Sequence, residues 1–400
     1  MFAGLLATTV LLAACGEEEA KEEEVKVEQA EETAEETTEE TTEETTETEA
    51  ASEATTEVAV QEEITAYQDI KAELEKMKED QEVNWETVST LYTDHLQAKI
   101  NEVDGELAQG IEAFIEAGKS GDVDPNVARQ QVDKLTQSYF YKKQKDLQKG
   151  TLALMEEGKM EEANSSFEEI KVLASEVFIP TATKRDEYYE LTGENSMVEN
   201  INNGLAVQEE ALAAENAEDF SVYLQITDKS IYKSYYLASK SYGEKIGAGI
   251  EEGASLEELT EKQAEAYGFL QAIKGSLSGA DEEAVTKLND LFSLTQKADE
   301  IDAEEVESLF VQAMKAKSSG YYENTIKVLE EGNLVEAKVD AMEGNMFLSM
   351  LAVDLTKANG EEATTALLEK GKAFFEAVAS ENVEEAKKLK EEIVTEISNL

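Results

Sequence analysis

Three patterns of apolar and polar residues follow one another along the chain. The first is an apolar run from Leu5 to Leu12, closed by the small residues Ala13 and Ala14. It is too short to span a bilayer, which takes about 20 apolar residues. The second, Glu17 to Glu57, holds 19 Glu and two Lys, with Glu-Glu-Thr-Thr repeating from Glu35 to Thr46. From about Val58 a third pattern begins, in which Tyr67, Ile70, Leu74 and Met77 recur at spacings of three and four. That spacing places them on one helical face. Near the other end Leu367, Leu368, Gly371, Phe374, Phe375 and Val378 do the same, followed by Val383, Ala386, Leu389, Ile393, Ile397 and Leu400. The run from Met346 to Leu355 is ambiguous by periodicity, but its Ala, Met and Leu content favours a buried helix. No period-two stretch and no Asn-Gly hairpin turn stands out, and there are two prolines, Pro125 and Pro180. The pattern predicts an all-α fold.

Within the helical part the chain repeats itself. His95-Leu96-Gln97-Ala98 matches Phe269-Leu270-Gln271-Ala272, and Phe114, Lys119 and Asp124 match Phe292, Lys297 and Asp302. Leu154-Met155-Glu156-Glu157-Gly158 then matches Val328-Leu329-Glu330-Glu331-Gly332, and Glu215-Asn216 matches Glu381-Asn382. The anchors keep their order, at offsets of 174, 178, 174 and 166 residues, which argues for duplication. The units read as helical hairpins, a Gly or Asn ending one helix and Glu residues opening the next. These turns are similar to those of tetratricopeptide hairpins, without the regular 34-residue period of that family. The expected organisation is a first helical repeat over 58–220, a connecting helix over 221–254 and a second repeat over 255–400. Each repeat is expected to form an antiparallel bundle, with the long helix, about Glu218 to Glu252, joining the two.

Charge changes the picture of the first 57 residues and of the partners. The chain carries 90 acidic against 35 basic residues, a formal charge of −55. Like charges at the density of Glu17–Glu57, with little apolar surface, cannot offset chain entropy. We expect residues 15–57 to be a disordered acidic spacer, reaching at most about 140 Å when fully extended. A phosphate backbone would repel such a chain, because proteins bind nucleic acid by neutralising it with Lys and Arg. Nucleic acid is therefore excluded as a partner. Arginine occurs at two positions, Arg129 and Arg185, so forked capture of a carboxylate or phosphate has few possible sites.

The segment Leu12-Ala13-Ala14-Cys15 ends the apolar run with small residues and the chain's single cysteine. It resembles the lipobox of bacterial lipoproteins, over about 16 residues counted from Met1. The resemblance implies that residues 1–14 are a signal peptide, that Cys15 is lipidated, and that the mature protein is held on the outer side of a membrane. No Lys or Arg lies between Met1 and Cys15, where a signal peptide carries a basic region, which points to a translation start upstream of Met1.

Motifs for chemistry fail on their context. Ala117-Gly118-Lys119-Ser120 has the end of a phosphate loop, but Ala113 replaces its first glycine and a helix precedes it. Gly247-Ala248-Gly249 through Gly253 lacks the strand that a dinucleotide fingerprint requires. Gly275-Ser276-Leu277-Ser278-Gly279 has Leu where a nucleophile elbow needs Ser. The lone His95 has no second ligand nearby, and its counterpart Phe269 marks a packing position or a solvated helix face. No catalytic residue, metal ligand or cofactor is expected.

Two features stand as binding candidates. Tyr232, Tyr235, Tyr236 and Tyr242 alternate with Lys229, Lys233 and Lys240, either as packing between bundles or as a stacking surface for a partner. The segment Pro180–Asn200, longer than its counterpart in the second repeat, carries Lys184, Arg185, Asp186, Glu187, Tyr188 and Tyr189. It reads as a solvated connection or as a functional insertion on a regular scaffold. The leading expectation is a non-enzymatic, membrane-anchored extracytoplasmic protein. Its helical domain binds a cell-wall component, a protein or a small ligand. The architecture also resembles the imelysin family, extracellular, helical and duplicated, which implies a metal-associated alternative. The His-x-x-Glu type motif of that family is not found, so carboxylates holding a hard cation such as calcium would be its only route.

Overall fold

The computed structural model describes residues 59–79 and 81–400. The lipobox, Cys15 and the acidic spacer lie outside these residues. The described chain is built from α-helices with short 3-10 and π turns, and no strand occurs among the described residues. The first half comprises α1 (Gln61–Glu75), α2 (Trp85–Leu91), α3 (Gln97–Val103), α4 (Gly105–Ser120), α5 (Pro125–Glu156), α6 (Met160–Leu173), α7 (Ile179–Tyr189) and α8 (Met197–Ala213). Then comes the longest helix, α9 (Ala217–Glu252), within a residue or two of its predicted bounds. The second half comprises α10 (Leu256–Ser278), α11 (Glu282–Phe292), α12 (Ala303–Glu330), α13 (Leu334–Met350), α14 (Ala352–Asn359), α15 (Glu361–Ala379) and α16 (Val383–Ser398).

The duplication is written into the helix ends. Asp104 and Asp281 cap α4 and α11, and Asp124 and Asp302 cap α5 and α12, each carboxylate accepting from backbone N–H groups of the first turn. These caps satisfy donors that a helix cannot pair internally. The tight turns repeat as well. Gly158 and Gly332, at φ 72° and 82°, end α5 and α12 with the same pair of backbone bonds. Lys159 N–H bonds to the Leu154 carbonyl at 2.8 Å, and Asn333 N–H to that of Val328 at 3.2 Å. This left-handed closure lets one residue both end a helix and cap the next. The turns after α8 and α15 use the same geometry, but with Glu215 and Glu381 at φ 53° and 55°. Asn216 and Asn382 follow and cap α9 and α16.

The described residues form one compact unit with a main core that runs from Val60 to Ile397. A smaller cluster, built on Phe167, Ile170, Leu212 and Phe220, closes the far end of α5, α6, α8 and α9. The connecting helix is the shared wall of the two halves: α9 packs on α5, α7 and α8 and on α10, α12 and α13. Its middle is therefore covered on every side, and Thr227 to Ser241 is buried without interruption. Charges caught there are mostly paired. Lys229 lies 2.5 Å from Asp228 and 2.6 Å from Glu343 of α13, and Lys240 pairs with Asp354 of α14. Gly243 and Gly247 allow this contact, since a Cβ on them would fall 2.5 Å from Val306 and 2.6 Å from Ala303.

Candidate functional site

A cavity of about 360 Å³ opens where α1, α5, α7 and α10 meet beside the end of α9. Helix α5 provides its floor. The α5–α10 contact is drawn tight at Gly268, where a Cβ would meet the Lys134 Cβ at 2.4 Å. Gln131 Nε2 donates to the Ala264 carbonyl at 2.8 Å along the same seam. This close crossing brings Arg129, Asp133 and Lys134 of α5 opposite Glu261, Glu265 and Phe269 of α10. Helix α1 and the turn after it add Lys71, Glu75 and Lys78, and α7 adds Lys184 and Arg185.

The floor is a charged network. The Asp133 carboxylate accepts from the Tyr67 hydroxyl at 2.7 Å, from Gln137 at 3.1 Å and from Lys134 at 2.5 Å. Burial alone would raise its pKa, but Lys134, Lys71 and the Tyr67 hydroxyl hold it well below the usual carboxylate range. Burial would also strip the proton from Lys134, yet Asp133 and Glu265 keep its pKa above that of a free lysine. Arg129 donates to Glu261 at 2.5 Å, and Gln130 donates to the same oxygen at 2.9 Å. Tyr242 of α9 stacks on Phe269, centroids 6.0 Å apart and planes 19° apart, and its hydroxyl donates a hydrogen bond to Glu265.

Arg185 is 8% exposed and donates Nη1 to the Ser241 hydroxyl at 3.0 Å. Its Nε, like that of Arg129, is buried without a hydrogen-bond partner. Lys184 stands at the exposed rim, and its pKa is lowered by partial burial and by repulsion from Lys71, Lys134 and Lys78. The two arginines of the chain thus reach the same cavity from helices 56 positions apart in sequence.

The segment Pro180–Asn200 is mostly helical, in contrast to a solvated connection: α7 runs to Tyr189, and a short loop with a 3-10 turn leads to α8. Its counterpart α14 is a shorter helix. Of the residues proposed from sequence, Lys184 and Arg185 face the cavity. Asp186 lies on another face, where it caps α8 by accepting from Ser196 Oγ at 2.7 Å and from the backbone N–H of Met197 at 2.9 Å. Tyr188 is exposed, with the Lys245 ammonium 4.8 Å above its ring, and Tyr189 is half-buried against α9. Tyr232, Tyr235 and Tyr236 are core residues, each no more than 1% exposed, so they present no surface to a partner. Tyr232 meets Phe347 and Tyr236 meets Phe310, both edge-on, joining the halves. His95 sits on the solvated face, 2.9 Å from Glu62. Sequence reasoning missed Lys71, Asp133, Lys134, Glu261 and Glu265; the one signal available was the rarity of arginine.

Among the described residues no group of three or more His, Cys, Asp or Glu is placed to hold a metal ion. No helix among them is long and apolar enough to cross a membrane. Compared with protein-family models, curated proteins and solved structures, the chain matches none of them.

Proposed function

We propose that the chain is an extracytoplasmic lipoprotein, anchored through Cys15, whose helical body holds a ligand in the cavity between α1, α5, α7 and α10 without transforming it. The observation that carries this reading is the convergence of Arg129 and Arg185 on one concave volume. In a chain with two arginines among 400 residues, both line this cavity, Arg129 paired with Glu261 and Arg185 with no carboxylate at ion-pair distance among the described residues. Rigidity supports the reading as well. The floor is fixed by ion pairs and by the Gly268 contact, and a preformed concave site lined by charged side chains suits a small polar ligand. The lipobox resemblance supplies the address, and an acidic spacer would hold the body away from the membrane.

The test has two arms. Cells producing the full chain or Cys15→Ala are fractionated after labelling with palmitate; membrane retention of an unlabelled Cys15→Ala protein would refute the anchor. The dialysed full chain is then melted with and without the small-molecule fraction of an envelope extract. The cavity reading expects a rise in Tm that Arg185→Gln abolishes, and an identical response in both proteins would refute it.

A further inference from the structure

The charge of the cavity runs against the charge of the molecule. Six cationic side chains line it against four carboxylates, an excess of two positive charges in a chain whose formal charge is −55. The carboxylates are committed to the floor and rim: Asp133 to Lys134, Glu261 to Arg129, Glu75 to Lys78, and Glu265 to the Tyr242 hydroxyl. Lys71, Lys184 and Arg185 have no carboxylate at ion-pair distance among the described residues. Arg185 is the buried one of the three, and its single hydrogen bond goes to a hydroxyl. An unpaired buried charge costs several kcal/mol unless something else neutralises it. Acidic side chains are the commonest residues of this protein, so any of them could have filled the position.

We infer that the cavity binds a small organic anion, its carboxylate or phosphate held by Arg185, Lys184 and Lys71 and its body against Tyr242 and Phe269. The inference rests on the cavity reading above and names its ligand class. Guanidinium and ammonium donors bind carboxylate and phosphate alike through charge-assisted hydrogen bonds. The Tyr242 and Phe269 rings line the cavity beside them, which favours a body carrying a ring over a bare inorganic ion. At about 360 Å³ the space suits a molecule of metabolite size.

The experiment uses the full chain, with calorimetry and melting curves against benzoate, phenyl phosphate and inorganic phosphate. Benzylamine and benzyl alcohol serve as cationic and neutral controls of similar size. The expected result is binding of the two aromatic anions, more tightly than inorganic phosphate, weakening as salt is raised. Arg185→Gln should weaken anion binding about tenfold or more, the loss of one charge-assisted bond. Lys184→Gln, at the exposed rim where folding is not at stake, should weaken it severalfold, and the remote Lys387→Gln should leave it unchanged. Absence of binding by every anionic probe, or equal anion affinity in Lys184→Gln and the parent, would overturn the anion class. Binding of benzyl alcohol or benzylamine instead, lost in Arg185→Gln, would overturn the ligand class while leaving the cavity as the binding site.

Discussion

Lys233 is a charge that the fold tolerates poorly. It lies in the covered middle of α9, is 2% exposed, and has one hydrogen bond, to the Asn195 carbonyl at 3.3 Å. Burial pushes its pKa from the ordinary 10.5 down to about 8, with Asp186 pulling weakly the other way. The folded protein therefore gives up this proton near pH 8 while the unfolded chain keeps it to 10.5. Between those values the unfolded state binds more protons, so stability rises with pH. At about 1.4 kcal/mol per pH unit, the penalty at pH 7 is about 3 kcal/mol, and less than about 1 remains at pH 10. Lys233→Met keeps the length of the side chain and removes the charge, at a loss of about 1 kcal/mol for the Asn195 bond. The variant should be more stable than the parent by about 2 kcal/mol at pH 7, and that advantage should vanish by pH 10. The assay is urea unfolding followed by far-ultraviolet circular dichroism at both pH values. Lys317, also held near pH 8 by burial, contributes equally to both proteins and cancels in the difference. A variant less stable than the parent at pH 7, or a difference independent of pH, would refute the reasoning.

Other expectations follow from the same structure. Asp354→Asn leaves the fully buried Lys240 with only Glu307, 3.9 Å away, and should cost up to about 3–5 kcal/mol in urea unfolding, against less than 1 if the pair were dispensable. Glu381→Gly relieves a left-handed residue at a position where the related turns carry Gly158 and Gly332, and should raise stability by about 0.5–1 kcal/mol. A lower Tm for Glu381→Gly would show that the Glu side chain contributes more than the backbone strain removes. Deleting residues 1–57 should leave the helical circular dichroism and melting of 58–400 unchanged, because the core of the described residues starts at Val60; a loss of helix would contradict the boundary.

What the sequence settled by itself was local. Spacings of three and four and the Gly158 and Gly332 turns specify helices and hairpins through contacts within a few residues, whereas Asn216 and Asn382, read as helix ends, cap the helices that follow. The order of the Leu154–Gly158 and Val328–Gly332 anchors was enough to reveal the duplication. Periodicity states which residues share a face, but not how many faces will be covered. For that reason the tyrosines of α9 could be read as a surface stripe or as packing. The choice fell to helices from both halves closing around them. The cavity was less legible still, because Lys71, Arg129, Arg185 and Glu261 come from four helices with no common spacing. Its charge follows from which carboxylates are already paired, and only the tertiary structure decides that.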